Sequence, residues 1–548
     1  MRSVIKQACA VSALAAAALV AAEGTSAAQS TGPSTSQSPY VLPSSANVQT
    51  TSILSVGDSI GGFRMVGIPD GLGAFDNLDG TFTLVMNHEL GNGAGATRAH
   101  GAVGAFVSKW VINKATLQVI SGSDLMQQIF LWDTANQRSA SVATPFAFNR
   151  FCSGDLPQVS AFYNAATGLG TQARIYMHGE EGGATGYQMG TVVTGPDAGK
   201  SYVLGKFNLL TNGSGGTAVG AWENSLASPF AQDRTVVASN SDGGTGIMTN
   251  SVSVYVGTKQ STGSEVDKAG LTNGTIKFVN VAGNPVEIVN ATTRATNITN
   301  GTRFTLNAAA STTFSRPEDG AWNPLAPREF YFVTTDQLDQ ATDGVGAQIG
   351  QTRLWRLTFD DIANPDLGGK IDLLIDGRVV NGEKVNMFDN MTVNATTGLI
   401  ILQEDVGNAA HNGKMWTYNP FTDALVRVAN HDPVRFGDLT AAATAPFNRD
   451  EETSGVLDVS SILGADVYLT SDQAHYLINA ANPNGFANPD ELVEGGQLMA
   501  IRIAAAATAS APGLPKSWLA LCAAIIAGIG LLLVRRARSA AARTRASY

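Results

Sequence analysis

The sequence predicts an all-β protein built as a six-bladed β-propeller. Short apolar runs rich in Val, Phe, Tyr and Thr alternate with turns of Gly, Asn and Asp, and helical periodicity is scarce. A loosely repeated hairpin recurs along the chain, and its copies end in acidic residues. Six copies at uneven spacing are typical of propeller blades with loops of different length, whereas a β-sandwich is the alternative for a β-rich chain without a fixed period.

The N-terminal 28 residues are predicted to be a secretory signal peptide. Arg2 and Lys6 precede an apolar run, and the small residues before and at Ala28 suit cleavage after that residue. An uncleaved membrane anchor is the alternative, although the apolar run is short for a span. Residues 29–52, rich in Ser, Thr, Gln and Pro, are predicted to form a flexible leader, and the propeller domain is predicted to cover residues 53–503.

The C-terminal end has the pattern of a membrane anchor. We expect a linker over 504–516, a transmembrane helix over 517–534 and a basic cytoplasmic tail over 535–548. The segment resembles the PEP-CTERM type of bacterial sorting signal, with PGLP in place of Pro-Glu-Pro. The body of the protein is therefore expected to be exported to the periplasm or cell surface, and to be anchored by this helix unless the tail is processed.

The charge of the body excludes one class of partner. Eight of the 35 basic residues but only one of the 45 acidic residues lie in the two ends, which leaves 27 basic and 44 acidic residues between them. A domain this acidic is a poor nucleic-acid binder and a plausible calcium binder. The chain also lacks a P-loop, a His-Glu-x-x-His pair, a Gly-x-Ser-x-Gly elbow and a Cys-x-x-Cys pair. We expect the exported domain to be monomeric.

Cysteine usage gives a specific clue. Cys9 lies in the predicted signal peptide and Cys522 in the predicted transmembrane helix, so Cys152 is alone in the body and has no intrachain disulfide partner. A single thiol in an oxidising compartment is expected to be buried or bound to another group.

The hairpin copies share a layout that brings acids together. Each copy begins at an acid or at Cys152, and its first strand is followed by a turn and by a second strand that ends at another polar residue. In a propeller the innermost strands line a central channel, so these ends converge at one mouth of the channel. The copies run over Asp70–Glu89, Cys152–Glu181, Glu223–Asp242, Glu318–Asp336, Asp389–Asp405 and Glu452–His475.

The strand ends supply candidate metal ligands. Carboxylates suit calcium, whereas a thiolate suits iron, zinc or copper. The candidates are Glu89, Cys152, Glu180, Glu181, Glu223, Glu318, Glu404, Asp405 and Glu452. Arg316 either neutralises neighbouring acids or holds an oxyanion such as phosphate. His475 is a candidate because it closes a copy, while Asp76, Asp79 and Asp389 are interpreted first as turn-forming residues, with a peripheral calcium site as the alternative.

These motifs resemble the PhoX family of calcium-dependent alkaline phosphatases. The resemblance is carried by RFCSGDLP at 150–157, HGEEGG at 178–183, RPEDGAWNP at 316–324 and ILQEDVGN at 401–408, among others. It implies an exported propeller that hydrolyses phosphate monoesters at a mixed iron–calcium cluster. It also implies roles for residues of this chain: Cys152 as an iron ligand, Glu180 or Glu181 with Glu223 and Glu318 on iron or calcium, Glu89, Glu404 and Glu452 on calcium, and Arg316 on the substrate phosphate.

Three functional hypotheses follow. The first is a metal-dependent phosphatase acting on a small phosphorylated substrate. The second is a non-catalytic, calcium-stabilised surface propeller that binds polysaccharide or protein. The third is a propeller phytase or lactonase that uses calcium alone.

Overall fold

β-Strands make up nearly all the regular structure, as the Val-, Phe- and Thr-rich runs predict. The computed structural model describes residues 29–504, except for 184, 209–219, 244–249, 337–350, 408, 410, 479–484 and 487. The predicted signal peptide, transmembrane helix and basic tail lie outside the described residues, as does the predicted linker after residue 504. Among the described residues, no helix has the length and apolar character needed to cross a membrane.

The strands of the first half of the chain are β1 (Gln29–Thr31), β2 (Val41–Pro43), β3 (Val48–Ser55), β4 (Ser59–Ile60), β5 (Phe63–Arg64), β6 (Pro69–Asp76), β7 (Thr81–His88), β8 (Phe106–Asn113), β9 (Val119–Asp124), β10 (Gln128–Phe130), β11 (Trp132–Asp133), β12 (Arg138–Ser139), β13 (Phe151–Asp155), β14 (Tyr163–Asn164), β15 (Leu169–Gly170), β16 (Ile175–Glu180), β17 (Gln188–Val192), β18 (Lys200–Val203), β19 (Trp222–Ala227), β20 (Arg234–Ser241) and β21 (Ser251–Thr258).

The strands of the second half are β22 (Thr275–Val281), β23 (Thr302–Asn307), β24 (Pro317–Trp322), β25 (Glu329–Thr334), β26 (Arg353–Phe359), β27 (Gly369–Asp376), β28 (Val379–Val380), β29 (Glu383–Lys384), β30 (Phe388–Val393), β31 (Ile400–Glu404), β32 (Lys414–Asn419), β33 (Ala424–His431), β34 (Glu451–Asp458), β35 (Val467–Leu477) and β36 (Glu494–Ile503). The α-helices of the described residues have one turn each: α1 (Glu265–Lys268), α2 (Pro433–Phe436), α3 (Ser460–Leu463) and α4 (Pro489–Leu492).

The predicted hairpin copies form the innermost part of each main sheet. The sheet orders are β6-β7-β8-β9, β13-β16-β17-β18-β10, β30-β31-β32-β33-β2 and β34-β35-β36-β3-β1. A nine-stranded sheet, β19-β20-β21-β22-β23-β27-β26-β25-β24, carries one copy at each of its edges. The first strand of every copy is therefore an edge strand of its sheet.

These edge strands pack against one another in a closed ring. We call β6, β13, β19, β24, β30 and β34 the inner strands; each contacts the next in chain order, and β34 contacts β6 again. Sheets arranged radially around such a ring form a β-propeller, and this architecture protects the inner edges from pairing with other chains.

The two ends of the described chain meet in one sheet, which closes the ring. β3 pairs antiparallel with β36, and Val48 lies opposite Ile503 while Leu54 lies opposite Leu498. The prediction of a flexible leader over 29–52 is therefore wrong, because β1, β2 and most of β3 come from it. Thr is a good strand former, and six of the eight residues of β3 are buried, so composition alone is a misleading guide to this segment.

Ring closure predicts a large stability effect at β3. Leu54 is fully buried against the first and last sheets, so Leu54→Ala is expected to lower the free energy of unfolding by about 2–5 kcal/mol. The same replacement at Leu78, which is 87% exposed, is expected to change it by less than about 0.5 kcal/mol. Urea unfolding of both variants checks this, and a Leu54→Ala protein as stable as the wild type would show that β3 does not hold the ring.

Candidate metal centre

Each inner strand presents an acid or a thiol as its second residue. These residues are Asp70, Cys152, Glu223, Glu318, Asp389 and Glu452. In the first five copies the pairing register shifts within the first four residues of the inner strand, and in the sixth it shifts after Ser454. Such bulges bend a strand and redirect its side chains, here toward the mouth of the channel.

One backbone hydrogen bond recurs at the start of every copy. A residue at the end of each hairpin donates its N–H to the carbonyl of the residue just before the inner strand, at 2.9–3.1 Å. In five copies this donor is the last residue of the predicted copy, and in the fourth it is Thr335, one residue before Asp336. The donor–acceptor pairs are Glu89–Ile68, Glu181–Arg150, Asp242–Ala221, Thr335–Arg316, Asp405–Met387 and His475–Asp450. The hydrogen bonds establish which positions are equivalent from copy to copy.

The acceptor residues are also conformationally unusual. Ile68, Arg150, Ala221, Arg316 and Met387 have φ between 49° and 57°, a left-handed conformation that residues other than Gly rarely adopt. Strain of this kind persists only where the surrounding structure imposes it, and it concentrates at functional sites.

The candidate metal ligands of neighbouring copies form a series of overlapping groups of three residues, which we call triads. Ligand atoms lie within 4.8 Å of one another in each of the groups Asp70–Glu89–Cys152, Cys152–Glu181–Glu223, Glu223–Glu318–Asp389 and Asp389–Asp405–Glu452. We call these residues together the rim. Because each group shares a member with the next, the rim runs around the channel from the first copy to the sixth.

The rim concentrates more negative charge than its protein partners neutralise. Arg150 contacts Glu89 and Glu181, and Arg316 contacts Glu318. Burial, and then the neighbouring acids, raise the pKa of Asp70, Glu223 and Asp389 well above the ordinary value. Free carboxylates in such a place are unfavourable unless a cation accompanies them.

Cys152 adds a soft donor to this set of oxygens. Its side chain is buried, and its thiol lies 3.2 Å from Glu181 Oε2. Burial and the surrounding acids raise the pKa of the Cys152 thiol well above the ordinary value, so without a cation the sulfur stays protonated.

The chemistry of the donors fits metal ions. Asp70 Oδ1 and Asp389 Oδ1 are buried without a hydrogen-bond partner among the described residues, which leaves lone pairs available for coordination. Carboxylate oxygens suit hard cations such as calcium, and the Cys152 sulfur suits a softer transition metal.

Arg316 lies at the rim and contacts acids through two of its three guanidinium nitrogens. Its Nε donates to Asp242 Oδ2 at 2.9 Å and its Nη2 lies 2.7 Å from Glu318 Oε1. Nη1 has no hydrogen-bond partner within the described residues. The side chain therefore holds two acids in place and keeps a donor for a further anion.

His475 supports the rim and lies outside the triads. Its Nδ1 lies 2.6 Å from Glu494 Oε2, and its Nε2 lies 4.0 Å from Glu452 Oε2. Burial lowers the pKa of His475, but these two carboxylates raise it well above the ordinary value. A charged imidazole is a poor metal ligand, and the geometry makes His475 a group that orients Glu452.

The structure places Glu180 and Glu404 away from the rim, contrary to the sequence interpretation of both as ligands. Glu180 accepts hydrogen bonds from the N–H groups of Asn149 and Tyr187. Glu404 accepts from the N–H of Asn386 and from the indole of Trp416. Side chains alternate along a strand, so only the second acid of each adjacent pair, Glu181 or Asp405, faces the rim.

Sequence reasoning missed two rim acids. Asp389, interpreted as a turn residue, lies on an inner strand and is buried, and Asp70 received no ligand role although it begins the first copy. The signal was present, because both occupy the copy position of Cys152 and Glu223. By contrast, Asp76 ends β6 and Asp79 lies in the exposed turn that follows, and both accept hydrogen bonds from backbone N–H groups of that turn, as the turn interpretation predicts.

A cavity lies along the ends of the inner strands that are opposite to the rim. It has a volume of about 710 Å³ and is lined by Leu72, Asp155, Asp319, Trp322 and others. Asp319 accepts hydrogen bonds from Asn224 and from the N–H of Met391, so its carboxylate is already satisfied. No rim residue lines this cavity, so the candidate metal ligands lie at the opposite mouth.

Comparison with known proteins supports the fold. No protein-family model matches the chain, and no curated protein sequence matches it. The structure of Pseudomonas fluorescens PhoX in complex with vanadate, a transition-state analogue, is similar with a TM-score of 0.52 and 12% identity, over 83% of this chain and 95% of that chain. The present chain therefore has a PhoX-like β-propeller fold.

Two further solved structures show weaker similarity. A candidate exo-beta-1,3-galactanase from Bifidobacterium bifidum has a TM-score of 0.34 at 10% identity, over 83% of this chain and 94% of that chain. The hemagglutinin-neuraminidase ectodomain of parainfluenza virus 5 has a TM-score of 0.28 at 7% identity, over 83% and 87%. Neither score supports an argument about fold or function.

Adjacent glutamates offer a matched test of the rim. Glu181→Gln removes a charge from the rim and is expected to weaken metal binding about tenfold or more. Glu180→Gln is expected to lower stability, because Glu180 accepts two backbone hydrogen bonds, and to leave metal affinity unchanged. The thermal unfolding midpoint, measured against the concentration of added iron and, separately, of added calcium, separates the effects. Equal metal dependence in the two variants would contradict the placement.

Proposed function

We propose that this protein is a metal-dependent phosphatase that hydrolyses phosphate monoesters at the mouth of its propeller channel. The observation that carries the proposal is the rim itself, in which one thiol lies among clustered carboxylates beside a guanidinium with a free donor. The PhoX structure that resembles this chain was determined with vanadate, a transition-state analogue, which supports the same chemistry.

The propeller has six blades. This count is supported by the six inner strands in a closed ring and by the six equivalent backbone hydrogen bonds. The nine-stranded sheet then represents two blades joined through β23 and β27, which pair with each other.

The rim would hold iron and calcium in different parts. Cys152, with Glu181 and Glu223, forms the triad suited to iron, because it contains the sulfur donor. The triad of Asp389, Asp405 and Glu452 offers oxygen donors and is suited to calcium. When bound, these cations supply Lewis-acid neutralisation of phosphate charge and acidify a water for attack on phosphorus.

The chain's own groups position the substrate. Arg316 presents Nη1 to a phosphate oxygen while Asp242 and Glu318 fix the plane of the guanidinium. The contacts with Asp242 and with the buried Glu318 keep the side chain from turning away, so the donor is pre-organised for the charge of the transition state. His475 orients Glu452 and makes no contact with the substrate in this account.

The setting of the enzyme follows from the ends of the chain and from its charge. We place the domain outside the cytoplasm, held at the membrane by residues 517–534 unless the tail is processed. The excess of acidic over basic residues argues against nucleic-acid substrates. We propose a small phosphorylated molecule as the substrate because Arg316 keeps a guanidinium donor at the rim. We further propose that the ectodomain acts as a monomer.

Replacement of Cys152 tests the mechanism. Cys152→Ala removes the sulfur donor and is expected to abolish both bound iron and hydrolysis of an aryl phosphate assayed in calcium. Ser239→Ala removes a buried polar atom of β20 outside the rim and is expected to retain both. Elemental analysis and the assay are performed on the same preparations.

The other outcomes discriminate between the remaining functions. Wild-type protein with calcium, without iron and without phosphatase activity would contradict the proposal and favour a calcium-stabilised binding propeller. Full activity in Cys152→Ala would contradict the iron site and favour a phytase or lactonase that uses calcium alone.

A further inference from the structure

Arg150 occupies the position in the second copy that Arg316 occupies in the fourth. Each arginine immediately precedes an inner strand and lies two residues before a rim donor, Cys152 or Glu318. Both have left-handed backbones, with φ of 54° and 57°. In both, the carbonyl accepts the recurrent backbone hydrogen bond at the end of the hairpin. The two guanidinium groups therefore start from equivalent points on the rim.

The two side chains also use their nitrogens in the same way. Nε of Arg150 donates to Glu89 at 2.7 Å, and Nε of Arg316 donates to Asp242 at 2.9 Å. Glu89 and Asp242 are themselves equivalent, because each ends the hairpin of the preceding copy. Nη2 of each arginine then contacts an acid of its own copy, Glu181 at 2.5 Å or Glu318 at 2.7 Å.

Both arginines keep Nη1 for another partner. Arg316 Nη1 is buried and has no hydrogen-bond partner among the described residues. Arg150 likewise makes its ion pairs through Nε and Nη2, and its side chain is 49% exposed. If each guanidinium only neutralised acids, pairing its Nη1 with a further carboxylate would stabilise the protein.

The copy between the two arginines contributes the middle of the rim. Glu223 belongs to the triad with Cys152 and to the triad with Glu318, so it lies between the donors that follow Arg150 and Arg316. An anion bound over this part of the rim has one guanidinium on each side. At the corresponding position of the intervening copy stands Ala221, which carries no cationic side chain.

We propose that Arg150 is a second phosphate-binding guanidinium, and that Arg150 and Arg316 together clamp the dianionic group of a phosphate monoester from opposite sides. The inference rests on the proposed phosphatase function and deepens it, since two cationic forks select a doubly charged terminal phosphate over the singly charged phosphate of a diester. Arg150 is the more exposed of the pair and forms the outer side of the clamp.

The test measures binding of inorganic phosphate to the metal-loaded protein by calorimetry, with metal content determined on each sample. Arg150→Lys keeps a positive charge near Glu89 and Glu181 but loses the planar fork, and Arg150→Ala loses both. With metal content unchanged, phosphate affinity is expected to fall about tenfold in Arg150→Lys and further in Arg150→Ala. Arg316→Lys is expected to give a loss of similar size to Arg150→Lys.

A surface arginine provides the control. Arg303 is 46% exposed and paired with Asp360, so Arg303→Ala matches Arg150→Ala in exposure and in the loss of an ion pair. It is expected to bind phosphate like the wild type. Equal affinity in Arg303→Ala and Arg150→Ala would overturn the inference.

The remaining outcomes are also decisive. Loss of metal from Arg150→Lys as well as Arg150→Ala would assign Arg150 to holding the rim acids and would overturn the clamp. Absence of phosphate binding by the metal-loaded wild-type protein would instead refute the proposed function itself. If only the role of Arg150 is wrong, the wild-type protein still binds phosphate and Arg316→Lys still weakens that binding.

Discussion

Closure of the ring of inner strands is the constraint on which the rest of the structure depends. The last sheet is completed by both ends of the chain, as β3 pairs with β36 from Val48 opposite Ile503 onward. Only then do β34 and β6 meet and bring the sixth copy beside the first. The rim is thus a product of tertiary structure, because its donors come from segments spread over nearly 400 residues of the sequence.

Closure of the ring brings carboxylates together, and the cationic side chains of the described residues offset only part of their repulsion. Carboxylates from neighbouring copies approach within 4.8 Å in a buried mouth, and Arg150, Arg316 and His475 offset a fraction of their charge. The left-handed residues before the inner strands add backbone strain at the same place. Cations that bind the folded ring and not the unfolded chain would stabilise it by mass action, which couples metal binding to folding.

Sequence reasoning succeeded where a pattern was local and failed where it depended on which way a side chain faces. The copies that start at Cys152 and Glu223 are visible in the sequence as strands that end in acids, and they predict the all-β propeller. The sequence does not show that Glu180 and Glu404 face away from the rim, because a sequence gives no register, and a shift of one residue turns a side chain to the other face. The sequence of 29–52 does not show its strands because β2 pairs with β33, about 390 residues away, and β3 pairs with β36, about 450 residues away.

The central claim is that the rim is a mixed metal site, and anomalous diffraction from crystals of protein purified without chelators tests it most directly. The account predicts a peak at the iron absorption edge beside the Cys152 sulfur. It also predicts peaks at longer wavelength, from calcium, about 2.3–2.6 Å from rim carboxylate oxygens. A rim without anomalous density, in which Arg150 and Arg316 alone neutralise the acids, would contradict it.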